Sequence, residues 1–518
     1  MPPADAIRSR TETPAKSSPS GAAATSATAR SGSTATRRSS SRTRSTAASA
    51  SASHNNSPAT DRKWTVATDD VHHEYEFGGP VGVLAMMTLF PCLFYYLYVC
   101  LYFYDARSGP RAGRLARPVD PSTLTGPGGW IDFVKLVFRL VVTHAAPTRK
   151  AVALYFSLIS LQLLLALIMP GVQQRGLPVT SLGGKTLVYN CNAYTSLYAT
   201  IAIVGALHYT SVFNLADIID LYGPLFTIAQ LSGFGLAAIV YITGERYRMS
   251  GNVIYDYFMG SSLNPRMGSV DIKMWAEIRV SWMLLFAIAM AACAKQYQTY
   301  GYVSANTALF AWGTGLYLNA CAKGEQYIPQ TWDMNYEKFG WLLSYWNLAG
   351  VPFSYAYSAI YMATHDPKTY SYPTWFVVQL FILLTVSHGL FDVAMGQKSY
   401  FKAKQTNTFI KRYTFPQIPG TEIENPKTMK TITGTDLLID GLWGILRKPN
   451  YTFDWFQAVV WGLSAGQGSA IPYFYPLFHI TMLLHRNARD NARCARKYGK
   501  SWIEYKQKVP YTYIPYVY

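Results

Sequence analysis

Apolar residues fall in long blocks along this chain, and the blocks set the first expectation. A hydrocarbon core of about 30 Å is crossed by a helix of about 20 largely apolar residues. Four stretches are clearest: "GVLAMMTLFPCLFYYLYVCLYFY" from Gly82, "AVALYFSLISLQLLLALIMPG" from Ala151, "LYGPLFTIAQLSGFGLAAIVYI" from Leu221 and "VSWMLLFAIAMAACA" from Val280. Polar residues interrupt further candidates at about 193–214, 303–322, 340–362 and 373–393. Two more follow Asp454, divided near Gly466 to Ser469. The pattern predicts an all-α, polytopic membrane protein of about ten spans. Two segments are too polar to cross: "YRMSGNVIYDYFMGSSLNPRMGSVDIKMWAEIR", and the stretch from Gln397 to Asp440.

Charge orients this array. The formal net charge is +18, and it is unevenly spread. Residues 1–63 are Ser, Thr and Ala with scattered Arg, too poor in large apolar side chains to offset the entropy of ordering, so a disordered, basic cytosolic leader is expected. The spanning domain is expected over 78–518. The segment after the last span, "HRNARDNARCARK", is basic as well, and positive charge favours the cytosolic side at both ends, which an even number of spans satisfies. The six cysteines include no CxxC pair, so neither a zinc cluster nor a disulfide framework is expected, and no metal site is assigned.

The candidate chemistry lies mostly in the last third. A helix through "HRNARDNARCARKYG" places Arg486, Arg489, Asp490, Arg493, Cys494 and Lys497 in one sector, where guanidinium groups could grip phosphates and Asp490 could accept from a ribose hydroxyl. The plain alternative is juxtamembrane charge with local ion pairs. The aromatic "WIEYKQKVPYTYIPYVY" that follows, with Tyr498 just before it, offers flat faces such as Tyr505 for lining a pocket, or an interfacial belt. "GLWGILRKPNYTFDW" contributes Arg447, Asn450, Tyr451 and Asp454 around a Pro449 turn. Lys398 and Lys402 stand four apart and share a helix face. Asp333 and Glu337 stand near a span boundary, followed by Trp346, Asn347, Tyr355, Tyr357 and Tyr361 within apolar sequence, where polar groups are costly and suggest function. No P-loop, HExxH, GxSxG or strand-borne glycine-rich fingerprint is expected, so any nucleotide site must be built from membrane helices.

Several of these motifs together resemble the sterol reductase family that includes the Δ14- and Δ7-sterol reductases and the lamin B receptor. The carriers are "LLHRNARDNARCARKYGKSWIEYKQKVPYTYIPYVY", "GLWGILRKPNY", "LNPRMGSVDIKMWAEIR" and "QKSYFK". Within the family, "DMNYEKFGWLLSYWNLAGVPFSYAYSAIY" is most similar to the branch that reduces the C-24(28) side-chain double bond, the Δ24(24¹)-sterol reductases of ergosterol synthesis. The resemblance implies a ten-span fold in the endoplasmic reticulum membrane, a sterol substrate and an NADPH site within about 390–518. It assigns Lys398, Lys402, Arg447, Asn450, Tyr451, Arg486 and Asp490 to the cofactor, and the reading of the residues adds Asp454, Arg489, Cys494, Lys497, Tyr498 and Tyr505. Ser399 and Lys402 stand where the family pattern has Asn and Arg, which keeps the charge but removes a bidentate grip on the adenosine 2′-phosphate.

The implied chemistry is protonation of the methylene carbon and hydride delivery to its neighbour, since an isolated alkene accepts hydride poorly. Glu337, Asp333 or Tyr355 is the candidate proton donor, and Trp346, Asn347, Tyr357 and Tyr361 are candidate sterol contacts. Reduction of a Δ14 or Δ7 bond is the alternative within the family. An isoprenylcysteine-type methyltransferase using S-adenosylmethionine shares a similar C-terminal arrangement, and a structural role would use the basic leader to bind chromatin. That leader shows no chromatin-reading module, so no nucleic-acid partner is expected; membrane lipid is, and the oligomeric state is left open.

Overall fold

The structure is a computed structural model, and it describes residues 75–104, 128–411 and 414–517, all within one compact unit. The leader expected at 1–63 lies outside the described residues. Helix dominates. In chain order come α1 (Gly79–Val99), which runs into a π turn at Cys100–Tyr104, α2 (Gly129–His144), α3 (Arg149–Ile168), α4 (Ala193–Tyr209) and α5 (Tyr222–Thr243). They are followed by α6 (Trp282–Tyr300), α7 (Ala305–Lys323), α8 (Thr374–Gln405), α9 (Pro449–Leu463), α10 (Phe474–Tyr498) and α11 (Lys500–Lys508).

Among the described residues, five helical stretches are long and apolar enough to cross a membrane: Gly79–Phe103, Arg149–Ile168, Tyr222–Thr243, Ile272–Tyr300 and Thr374–Gln405. The other expected segments are helical too, but α4 and α9 are short, with 17 and 15 residues, and the segment after Gly340 is broken. That segment runs Trp341–Tyr345, widens into a π turn at Trp346–Ser354 and resumes at Tyr357–Thr364. Pro352 inside the turn has no N–H to donate, which favours the wider winding.

Two expectations change. The segment ending "DIKMWAEIR" is not wholly a loop: Ile272 onward is helical and continuous with α6, eight residues ahead of the apolar run. Its two buried cations find partners. Arg279, 4% exposed, pairs with Glu325 at 2.8 Å and donates to Ser196 Oγ at 2.9 Å. Lys273 Nζ donates to the carbonyl oxygens of Asp333 (2.6 Å) and Glu337 (2.7 Å). The all-α expectation also meets three two-stranded antiparallel ribbons, β1–β2 (Val172–Val179 with Lys185–Cys191), β3–β4 (Arg266–Met267 with Val270–Asp271) and β5–β6 (Thr428–Lys430 with Asp436–Leu438). In the first, Gly183 and Gly184 close the turn at φ 64° and 85°, a conformation that glycine adopts without strain.

The core is aromatic and gathers α1, α5, α6, α7 and the broken segment. Buried tyrosine hydroxyls take up backbone carbonyls that the π turn leaves open: Tyr222 donates to Phe353 at 2.7 Å and Tyr155 to Leu348 at 3.3 Å. Gly233 lets α5 approach this segment closely, since a Cβ there would lie 2.8 Å from Tyr345 Cα.

Removing one partner of the buried Arg279–Glu325 pair leaves a charge unpaired, a cost of about 3–5 kcal/mol. Glu325→Ala is therefore expected to lower the thermal midpoint in detergent sharply, and Arg279→Met with Glu325→Leu to recover most of the loss. A single variant as stable as the parent would refute this.

Candidate active site

The turn before α9 and the end of the chain are one unit. Arg447 N–H donates to Tyr511 O (2.9 Å), Lys448 N–H to Thr512 O (3.1 Å), and the Arg447 guanidinium to the carbonyls of Val509 (2.9 Å) and Pro510 (2.7 Å). Helix α11 packs on the β5–β6 ribbon through Trp502, Tyr505 and Val509 against Met429, with Cys494 and Tyr498 alongside. The crowded ending is folded, and it braces what lies above it.

Above it is a cavity of about 220 Å³. Helix α8 supplies Lys398 and Lys402, the Pro449 turn supplies Lys448, Asn450 and Tyr451, and α10 supplies Arg486, Arg489 and Asp490. Gln330, Thr331 and Trp332 line it as well. Three of the five cations have carboxylate partners. Arg486 pairs with Asp333 at 2.7 Å, Lys448 with Asp490, and Arg489 with both Glu76 and Glu337, the latter at 2.8 Å. Lys398 and Lys402 have none among the described residues: Lys398 Nζ sits 3.9 Å over the Trp443 ring, and Lys402 Nζ donates to Gln330 O at 3.2 Å. Asn450 Oδ1 is buried with no hydrogen-bond partner among the described residues. Two ammonium groups and a free amide oxygen facing one cavity make an anion seat with a place for a neighbouring donor.

Ion pairing favours the charged forms of Asp333, Asp490 and Lys448. Burial pushes the Asp333 carboxyl up, but the Arg486 guanidinium and its hydrogen bond outweigh that and hold it below the usual carboxylate value. The same balance of burial against Lys448 holds Asp490 low, and Lys448 is held above the ordinary lysine value by Asp490 despite its burial.

Of the sequence-predicted cofactor residues, Lys398, Lys402, Asn450, Tyr451, Arg486, Arg489 and Asp490 are brought together at the cavity. Arg447 is committed to the C-terminal carbonyls, and Cys494, Tyr498 and Tyr505 belong to the supporting cluster. Lys497 is exposed, 5.0 Å over the Tyr498 ring, and Asp454 lies deeper, 3.2 Å from His479. Glu337 accepts from Trp332 Nε1 and Arg489, each at 2.8 Å, and Asp333 accepts from Arg486. Trp346, Asn347, Tyr355, Tyr357 and Tyr361 line no part of the cavity and sit in the aromatic core or against it, Trp346 stacked on Phe478 at 4.8 Å.

Sequence reasoning passed over Lys448, Trp332, Gln330 and Glu76. Lys448 stands beside Arg447 in "RKPNY", and the turn decides which of the two faces the cavity. Glu76 is 413 residues from Arg489, beyond any spacing argument. The string "GLSAG", Gly462 to Gly466, does spell GxSxG, contrary to expectation. It ends a helix instead of following a strand, and Ser464 Oγ is buried and donates to Trp461 O at 2.7 Å, so it is no nucleophile elbow.

With this geometry in place, residues 71–518 match the model of the ergosterol biosynthesis ERG4/ERG24 family. The chain belongs to that family. It is 41% identical over 454 residues to a Delta(24(24(1)))-sterol reductase of Aspergillus fumigatus, covering 87% of this chain and 94% of the relative. It is 42% identical over 453 residues to a Delta(24(24(1)))-sterol reductase of Gibberella zeae, covering 86% and 74%. A Delta(14)-sterol reductase of Methylotuvimicrobium alcaliphilum is 32% identical over 456 residues, covering 87% and 98%. Nothing in these matches supports the methyltransferase alternative.

Because the Asp333 carboxyl is held lower in the folded ERG4/ERG24 domain than in the unfolded chain, its pairing contributes stability that is full above the unfolded value of about 4 and lost as pH falls through the folded one. Asp333→Asn is expected to flatten the fall of the thermal midpoint between about pH 6 and pH 3. Equal slopes in parent and variant would show that the pair contributes nothing.

Proposed function

We propose that this chain reduces a sterol carbon–carbon double bond with NADPH, and that the bond is the C-24(28) methylene of the side chain. The observation that carries the reading is the cationic cavity, set in a chain whose relatives at 41% and 42% identity are named for that bond. A dinucleotide fits the donor set: Lys398 and Lys402 would take phosphate oxygens, Arg486 and Arg489 are held in place by Asp333, Glu76 and Glu337, and Asn450 Oδ1 would accept from a hydroxyl or amide. The cavity is smaller than the roughly 300–1,000 Å³ of most small-molecule sites, which suits the phosphate-bearing part of such a ligand.

When bound, NADPH supplies a hydride equivalent. The chain's own residues do the rest. Lysines and arginines set the register of the phosphates, and the aromatic core around Trp346, Tyr355 and Phe478 is dry enough to keep water from a developing positive charge. Asp333 and Glu337 act here as positioning residues for the two arginines. The apolar helices put a sterol in reach from the bilayer, and the reading places the protein in the endoplasmic reticulum membrane with ten spans and both termini in the cytosol.

The test is purified protein in detergent with NADPH and separate Δ24(28)-, Δ14- and Δ7-unsaturated sterols, with products followed by mass spectrometry. Loss of only the side-chain double bond is expected, and Lys398→Gln should raise the KM for NADPH about tenfold with a smaller change in kcat. Reduction of a ring double bond would move the chain to the Delta(14) or Δ7 activity; no NADPH-dependent product with any sterol would overturn the reading.

A further inference from the structure

Below the cavity sits a second polar group to which none of the assignments above gives a catalytic part. Asp454 lies on α9 about one turn past Asn450 and Tyr451, and His479 lies on α10 seven residues before Arg486, on the same face by helical spacing. They are 8% and 5% exposed. His479 Nε2 stands 3.2 Å from Asp454 Oδ2 without the alignment of a formed hydrogen bond, and Asp454 Oδ1 and His479 Nδ1 have no partner among the described residues.

The surroundings are aromatic. The Tyr475 ring lies 5.2 Å from His479 and 4.0 Å from Tyr355, and Trp461 lies 5.3 Å from Tyr475. Trp346 Nε1 donates to the Tyr355 hydroxyl at 3.0 Å, so the aromatic path ends on residues already singled out for the substrate. A pair kept only for packing has its buried polar atoms satisfied. This one keeps an oxygen and a nitrogen open among aromatic rings, one turn of α9 from Asn450 and two turns of α10 from Arg486. An open carboxyl oxygen beside an imidazole is a place from which a proton can be passed on.

Resting on the sterol reductase reading, we propose that Asp454 and His479 together donate the proton of the reduction. The alkene π pair takes the proton and forms the new C–H bond at the methylene carbon. Reduced nicotinamide, when bound, would supply the hydride equivalent and its two electrons for the adjacent carbon. The pair is left one proton short, with a net charge of −1, and regains the proton from water through the cavity. Asp454 contributes the acidic oxygen; His479 holds Oδ2 and fixes which oxygen faces the substrate. Tyr355, Tyr475 and Trp346 present ring faces to the positive charge that develops between the two transfers.

The experiment uses the full chain in detergent and four readouts: NADPH binding by nucleotide fluorescence, sterol binding, thermal midpoint and single-turnover reduction. Asp454→Asn and His479→Gln are expected to bind NADPH and sterol within about threefold of the parent and to lose at least about 100-fold in single-turnover rate. Added imidazole should restore at least about tenfold to His479→Ala. An Asp454→Asn protein that keeps more than about a third of the rate overturns the proposal, as does a parallel loss of NADPH affinity, which would put the pair in the cofactor seat. Should Asp454→Asn lose its melting transition, His479→Gln and imidazole rescue decide by the same thresholds. A parent that reduces no sterol removes the underlying reading, a result distinct from an active parent with active variants.

Discussion

A charge near the hydrocarbon layer must be matched, and this structure is arranged around that requirement. Arg279 is neutralised by Glu325, Arg486 by Asp333, Arg489 by Glu76 and Glu337, and Lys448 by Asp490. Each pair ties together distant parts of the chain, Arg486 and Asp333 across 153 residues and Arg489 and Glu76 across 413. Once these are counted, the cavity cations that remain without a carboxylate among the described residues are Lys398 and Lys402. The same pairing that holds the fold therefore leaves, by subtraction, the cavity's unpaired positive charge on these two lysines.

The apolar half answers a different demand. A helix broken at a π turn exposes carbonyl oxygens that lipid cannot satisfy, and Tyr222 and Tyr155 reach across from other helices to take them. Tyrosine serves here because its ring packs like Phe while its hydroxyl closes a hydrogen bond. The wide turn and its aromatic collar form part of the buried core. They also explain why Trp346, Tyr355 and Tyr357, striking out from apolar sequence as polar-tipped rings, sit in or against the core and not on the cavity wall.

The ending of the chain acts as a brace. Helix α11 buries Trp502 and Tyr505 against the β5–β6 ribbon, and Arg447 fastens the last residues to the turn that carries Lys448 and Asn450. Residues that a spacing argument assigns to one charged stripe are thereby divided between two tasks. Arg486, Arg489 and Asp490 face the cavity, while Cys494 faces the brace.

The sequence by itself determined the helical, membrane-embedded character, because runs of about 20 apolar residues have few other stable settings. It also determined the family, and the clustering of Lys398, Lys402, Asn450, Arg486 and Asp490, because helix periodicity and a proline turn are local properties that short motifs carry. Tertiary structure alone decided the partners: that Glu337 and Asp333 hold arginines, that Lys448 and not Arg447 faces the cavity, that helix begins at Ile272, and that Asp454 meets His479. Those outcomes turn on which charge another segment brings within about 4 Å, and Coulomb attraction between groups hundreds of residues apart leaves no periodic trace in the chain.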